Sequence, residues 1–203
     1  MNIKKQLQTN LKYSYGKGNS KEYITIHQTG NYSKGANAQA HANLQSRLGI
    51  GHSWHWTVDD RQAIQSYTHD VKCWHAGDGL KGGNTKSIGI EICVNSDSDY
   101  KKAIENGARL TAKIMKDENI PISKVVQHNY WSGKDCPKEL RKAKDGINWN
   151  KFLQLVKYYL NNGNDNVNKL YKVQVGAFRH KKNADALLKE LKSKGFDGFI
   201  KVE

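Results

Sequence analysis

The chain has 203 residues with 37% hydrophobic and 26% charged content, enough apolar material for one ordinary domain with a small appendage and too much for wholesale disorder. Lysine and arginine number 33 against 19 acids, a net charge of +14, which points to a polyanionic partner: nucleic acid, an anionic membrane surface or a wall bearing phosphate-rich polymers. Three cysteines without framework spacing exclude a disulfide scaffold, and Cys73 and Cys93 are expected to be free, buried thiols.

Residues 1–20 read as a short helical or irregular lead-in that ends in the loop Gly16–Ser20. Lys4 and Lys5 are not followed by an apolar stretch of signal-peptide length, and no span reaches the roughly 18 apolar residues of a membrane helix. The expectation is a protein made in the cytoplasm without a signal peptide. Tyr23–His27 is a β-branched and aromatic run that delivers a histidine at its end. Asn31–Ala36 is a polar turn, and Asn37–Leu48 carries apolar residues at helical spacing until Gly49 and Gly51 end it.

Ser53–Val58 alternates as a strand, with Trp54, Trp56 and Val58 on one face and His55 on the other. His55 is expected to be a hydrogen-bonded histidine inside the sheet. Asp59–Gln62 forms a hairpin turn into a second strand, Ala63–Tyr67. His69–Gly83 is a long glycine-rich loop of the kind that carries function in compact domains. Ile88–Val94 is a central strand with Glu91 in the middle of its apolar run. Asp99–Asn119 is a long amphipathic helix whose stripe includes Ile104, Ala108, Leu110 and Ile114.

Ile120-Pro121 ends that helix, and Val125-Val126 leads into His128. Cys136 closes a glycine-bearing loop before Pro137. Trp149–Leu160 is another amphipathic helix. Residues 161–169 read as a polar linker, so the division is 1–160, then the linker, then 170–203. The tail alternates as a strand from Leu170 to Phe178. An amphipathic helix over Lys181–Lys194 follows, and a second strand begins at Gly195.

Two histidines and one cysteine, His27, His128 and Cys136, offer three ligands and leave a fourth position for water, which is how catalytic zinc is held. Glu91 is either an outward-facing carboxylate on a half-exposed strand or the group that takes a proton from that water. Lys134, two residues before Cys136, is either one more lysine in a basic chain or a positive partner for the oxyanion of a carbonyl under attack.

These residues, together with Trp54–Asp59, Trp74–Gly79 and Ser87–Glu91, resemble the type 2 N-acetylmuramoyl-L-alanine amidases of phage endolysins and bacterial autolysins. Animal peptidoglycan-recognition proteins are similar, and the likeness spans roughly residues 20–158. It implies an α/β fold with a mixed central β-sheet flanked by helices. It also implies Zn2+ on His27, His128 and Cys136, catalysis by Glu91 and Lys134, and substrate contacts at Trp54 and His75.

The implied substrate is peptidoglycan, cut at the amide between the lactyl group of N-acetylmuramic acid and L-alanine. The implied setting is release to the wall by holin or lysis. A non-catalytic peptidoglycan-binding protein on the same fold is the alternative, and a nucleic-acid partner has no motif behind it. The tail resembles half of a sporulation-related (SPOR) repeat through Tyr171–Phe178, Asn183-Ala184 and Gly195-Phe196. That likeness implies a small βαβ module that binds glycan, with a possible homodimer completing its sheet.

Overall fold

The computed structural model describes residues 1–47, 51–162 and 174–202. The strands are β1 (Asn2–Lys5), β2 (Ser14–Lys17), β3 (Tyr23–Gln28), β4 (Trp56–Val58), β5 (Gln62–Gln65), β6 (Val71–Cys73), β7 (Ser87–Ile92) and β8 (Val125–Gln127). The α-helices are α1 (Ala38–Gln45), α2 (Gly82–Lys86), α3 (Tyr100–Glu118), α4 (Asn129–Ser132), α5 (Lys138–Arg141), α6 (Trp149–Asn162) and α7 (Lys181–Ser193). Two compact units emerge, Met1–Asn164 and Asp165–Glu203.

The first unit is built on a six-stranded sheet in the order β1-β5-β4-β7-β3-β8. Only the β4–β5 hairpin is antiparallel; the other neighbours run parallel. A mixed sheet flanked by helices is therefore what the chain adopts. Asp59 closes the hairpin, with one carboxylate oxygen accepting from the backbone N–H groups of Arg61 and Gln62, both at 2.8 Å. Its other oxygen accepts from the N–H of Ala38 at 2.9 Å, so one buried acid joins the turn to the start of α1.

Alternation sorts the central strands into two faces. Ile24 and Ile26 of β3, Ile88, Ile90 and Ile92 of β7, and Trp56 and Val58 of β4 form the core with α3 and α6. Helix α3 approaches closely because residue 107 is glycine: a Cβ there would lie 2.8 Å from the Ile92 Cδ1. The other face is polar and carries Thr25, His27, Ser87, Gly89, Glu91 and Thr57. Register places Thr57, Glu91 and His27 side by side across three parallel strands.

Helix boundaries follow local chemistry. Asn37 caps α1, its Oδ1 accepting from Ala40 N at 3.0 Å, and Asp99 caps α3, accepting from Lys102 N at 3.1 Å. Asn119 takes the left-handed conformation (φ 55°) that ends α3. The expected end of the first helix at Leu48 and Gly49 lies outside the described residues.

Several expectations need correction. The lead-in is not helical: residues 2–5 and 14–17 are strands, stabilised by tertiary pairing of β1 with β5 and of β2 with β6. The first strand of the hairpin starts at Trp56, not Ser53. The glycine-rich loop contains β6 and runs into the start of the short α2.

In the second unit, α7 matches the expected helix, but residues 174–178 and 196–202 form no strand among the described residues. The linker beyond Asn162, and the start of the tail strand from Leu170 to Val173, lie outside the described residues.

Candidate metal centre

Three segments meet at the carboxyl ends of the parallel strands. β3 delivers His27, the turn after β8 delivers His128, and the loop before α5 delivers Cys136. That loop is stapled at both ends. Asn129 N donates to Cys136 O at 3.0 Å, and the Asn129 side-chain amide donates to the carbonyls of Gly133 (2.8 Å) and Lys134 (3.0 Å). Gly133 sits at φ 74°, where glycine makes the reversal without strain. Glu139 N, donating to the Gln28 side-chain oxygen at 2.7 Å, ties the following helix to the end of β3.

The three expected ligand residues come together. One ligand atom from each of His27, His128 and Cys136 lies within 4.8 Å of the others, and all three residues are buried. The Nδ1 atoms of His27 and His128 are 3.0 Å apart, and the Cys136 sulfur is 4.0 Å from His27 Nδ1.

His128 Nε2 donates to the Ala76 carbonyl at 2.9 Å, so in the neutral ring Nδ1 holds a bare lone pair directed at His27. Two imidazole nitrogens and a sulfur converging on one point are a donor set suited to zinc. These residues fit such an ion without rearrangement of the fold.

Glu91 sits beside this cluster, with Oε1 3.8 Å from His27 Nδ1 and Oε2 buried without a hydrogen-bond partner among the described residues. Burial raises its pKa to about 8, and the Lys134 ammonium works against that rise. Lys134 itself is exposed on the loop. Burial lowers the pKa of His27 and His128 and lifts that of the Cys136 thiol to about 12. Holding Cys136 as a thiolate therefore calls for a cation beside it.

The two expected substrate contacts are placed differently. Trp54 is 5% exposed and its indole N–H donates to Thr57 Oγ1 at 2.7 Å, so packing against the sheet leaves little of it for a ligand. His75 lies with Nδ1 2.9 Å from His27 Nε2, and its own Nε2 is buried. Neither of its ring nitrogens is open to substrate.

His55 is buried and hydrogen-bonded as expected, but it lies in the bend just before β4 and not within a strand, bonded to the Val71 carbonyl and the Gly89 N–H, both at 2.9 Å. Cys73 and Cys93 are free and buried. Sequence reasoning missed Asn84, a buried side chain whose Oδ1 accepts from the N–H groups of both His75 and Ala76. An asparagine in a glycine-rich loop carries no distinctive signal.

A family model described as N-acetylmuramoyl-L-alanine amidase matches residues 17–139, and one described as SPOR domain matches residues 154–202. The chain is 49% identical over 132 residues to the N-acetylmuramoyl-L-alanine amidase CwlH of Bacillus subtilis (strain 168), covering 64% of this chain and 51% of CwlH. It is 48% identical over 118 residues to XlyA, named as the same kind of amidase in the same organism, covering 58% of this chain and 40% of XlyA. The chain thus spans about half or less of the length of these relatives.

The solved catalytic domain of XlyA superposes with a TM-score of 0.72 at 39% identity, covering 77% of this chain and 99% of that domain. The PlyG catalytic domain gives 0.68 at 33% identity, covering 85% and 100%. The sheet, the site and these likenesses agree, and the chain belongs to the N-acetylmuramoyl-L-alanine amidase family, with a SPOR domain match over its tail.

Proposed function

We propose that the chain is a zinc-dependent amidase that hydrolyses the bond between the lactyl group of N-acetylmuramic acid and L-alanine in bacterial peptidoglycan. The observation that carries this reading is the convergence of His27, His128 and Cys136 beside a buried carboxylate oxygen of Glu91 that has no partner among the described residues. Family membership supports the reaction class, and the amidase names of CwlH and XlyA support the bond.

Zinc, when bound, supplies Lewis-acid polarisation of the scissile carbonyl and acidifies water at the site. The chain's own residues do the rest. His27, His128 and Cys136 would hold the ion. Glu91, buried beside the cluster and raised in pKa by that burial, would take a proton from the attacking water once a bound cation favours its carboxylate form, and return it to the leaving amine of L-alanine. Lys134 places a positive charge beside the site and is assigned to the developing oxyanion.

The basic surface of the chain, +14 overall, suits a wall rich in anionic polymers. No helix among the described residues is long and apolar enough to cross a membrane. We assign residues 1–160 to catalysis and the tail to wall attachment, in line with the match of its residues to a SPOR domain. A phage or prophage endolysin released at lysis is the biological setting this reading favours.

The test is digestion of purified peptidoglycan with mass analysis of the fragments. New L-alanine amino termini without new reducing sugars are expected. Metal analysis of the same preparation should find one zinc per chain, lost together with activity in Cys136→Ser. An active, zinc-free preparation would overturn the metal assignment, and a wall that is bound but left intact would favour the non-catalytic alternative.

A further inference from the structure

The two imidazoles of the metal cluster are each held from behind by the same two-residue segment. His27 Nε2 meets His75 Nδ1 at 2.9 Å, and His128 Nε2 donates to the carbonyl of Ala76 at 2.9 Å. In both rings the Nδ1 atom then faces the other ring and Cys136. The segment is itself fixed by one buried side chain. Asn84 Oδ1 accepts from His75 N at 2.8 Å and from Ala76 N at 2.7 Å, while its amide donates to the Gly79 carbonyl at 2.9 Å.

Asp78 anchors the start of α2, accepting from Gly83 N at 2.6 Å and Asn84 N at 3.2 Å. The His75 ring lies flat against β7 at Gly89, where a Cβ would fall 2.9 Å from His75 Nδ1. The arrangement directs two nitrogens to one point.

We infer that His75 is a positioning residue for His27, and that Asn84, by clamping His75 and Ala76 together, holds the His75 ring behind His27 and the Ala76 carbonyl behind His128, so that both present a bare Nδ1 to one ion. The inference rests on the proposed zinc centre and deepens it. His75 Nδ1 accepts the His27 Nε2 proton, which leaves His27 Nδ1 free for ligation, and the Ala76 carbonyl does the same for His128. Outer hydrogen bonds of this kind typically change metal affinity by about 10–100-fold when lost. The pair explains why a histidine at 75 is buried beside the cluster yet is not one of its ligands.

The experiment measures zinc dissociation constants by competition with a chromogenic chelator, on full-length protein. His75→Phe keeps the ring volume but removes the acceptor, and an affinity loss of about tenfold or more is expected. His75→Asn leaves a cavity but places an amide oxygen near the position of Nδ1, and it should bind zinc more tightly than His75→Phe. A role in packing alone predicts the reverse order.

Asn84→Ala should weaken zinc binding, and Asn84→Asp, which retains both acceptor contacts, should recover most of it. Parental affinity in His75→Phe, or His75→Asn binding no better than His75→Phe, would overturn the inference. Absence of zinc from the parental protein would instead overturn the proposed metal centre, so the two failures are separable.

Discussion

The two faces of the central sheet come from the same strands and do opposite work. On β7, Ile88, Ile90 and Ile92 point into the core beneath α3, while Gly89 and Glu91 point to the metal cluster. On β3, Ile24 and Ile26 are core, while Thr25 and His27 belong to the polar face. Neighbouring residues thus answer to different requirements: one set must fill space, the other must hold donors and acceptors in place. A change of one position along a strand should move the damage from stability to chemistry.

The sharpest test of that contrast is Glu91 beside Ile90. Glu91→Gln should lower wall hydrolysis by about 10²–10⁴-fold, the usual worth of a general base. Its thermal stability should be equal to or above that of the parent, because a neutral amide avoids the cost of burying a charge, which is what raises the Glu91 pKa to about 8. Turnover assays and thermal melts on one preparation check both halves. Ile90→Ala should do the opposite, costing about 2–5 kcal/mol of stability while the folded fraction retains metal and turnover. Equal losses of stability in the two variants would break the distinction between faces.

Acid provides a broader test. Burial holds the pKa of His41, His55 and His69 below the ordinary value of 6.5, as it does for His27, His75 and His128 at the cluster. Trp56 Nε1–H donates to His69 Nε2 while Glu118 faces Nδ1, an arrangement made for the neutral ring. The unfolded chain takes up protons near pH 6.5 and the folded one does not. Their stabilising contribution is therefore complete above 6.5 and is lost as pH falls through the depressed folded values.

Glu91, with its pKa raised, acts in the reverse sense, but it is one group against six. Melting temperatures of the metal-free protein should fall as pH drops below about 6.5, with no fall above it. A flat profile would mean that these imidazoles accept protons without loss of structure.

The smallest expected effect lies in the tail. α7 has the amphipathic pattern of α3, yet none of its residues is buried, whereas α3 buries Ile104, Leu110 and Ile114 almost completely. Leu188→Ala should therefore change the main melting transition by less than about 0.5 kcal/mol. A loss comparable to that of Ile90→Ala would reveal packing that the exposure of α7 does not suggest.

Much of the fold was legible because its signals are local. Asp99 and Asn119 bracket α3, and the isoleucines of β3 and β7 alternate with polar residues. His27, His128 and Cys136 stand at the ends of recognisable runs. What escaped depends on distant partners. β1 is four exposed residues that become a strand only by pairing with β5. Trp54 and His75 belong to motifs that suggest a substrate surface, but one is covered by packing and the other is committed to His27. The role of Asn84 exists only through two backbone N–H groups that no sequence pattern points to.

The position of β1 at one margin of the sheet has a consequence for behaviour in concentrated solution. A margin strand leaves a row of backbone donors and acceptors that another chain can extend into a growing ribbon. Here that row carries Lys4 and Lys5, both exposed, on a strand of only four residues. Bringing two such margins together would press ammonium groups against each other in a protein already charged at +14. A short, cationic border of this kind disfavours edge-to-edge pairing of two copies.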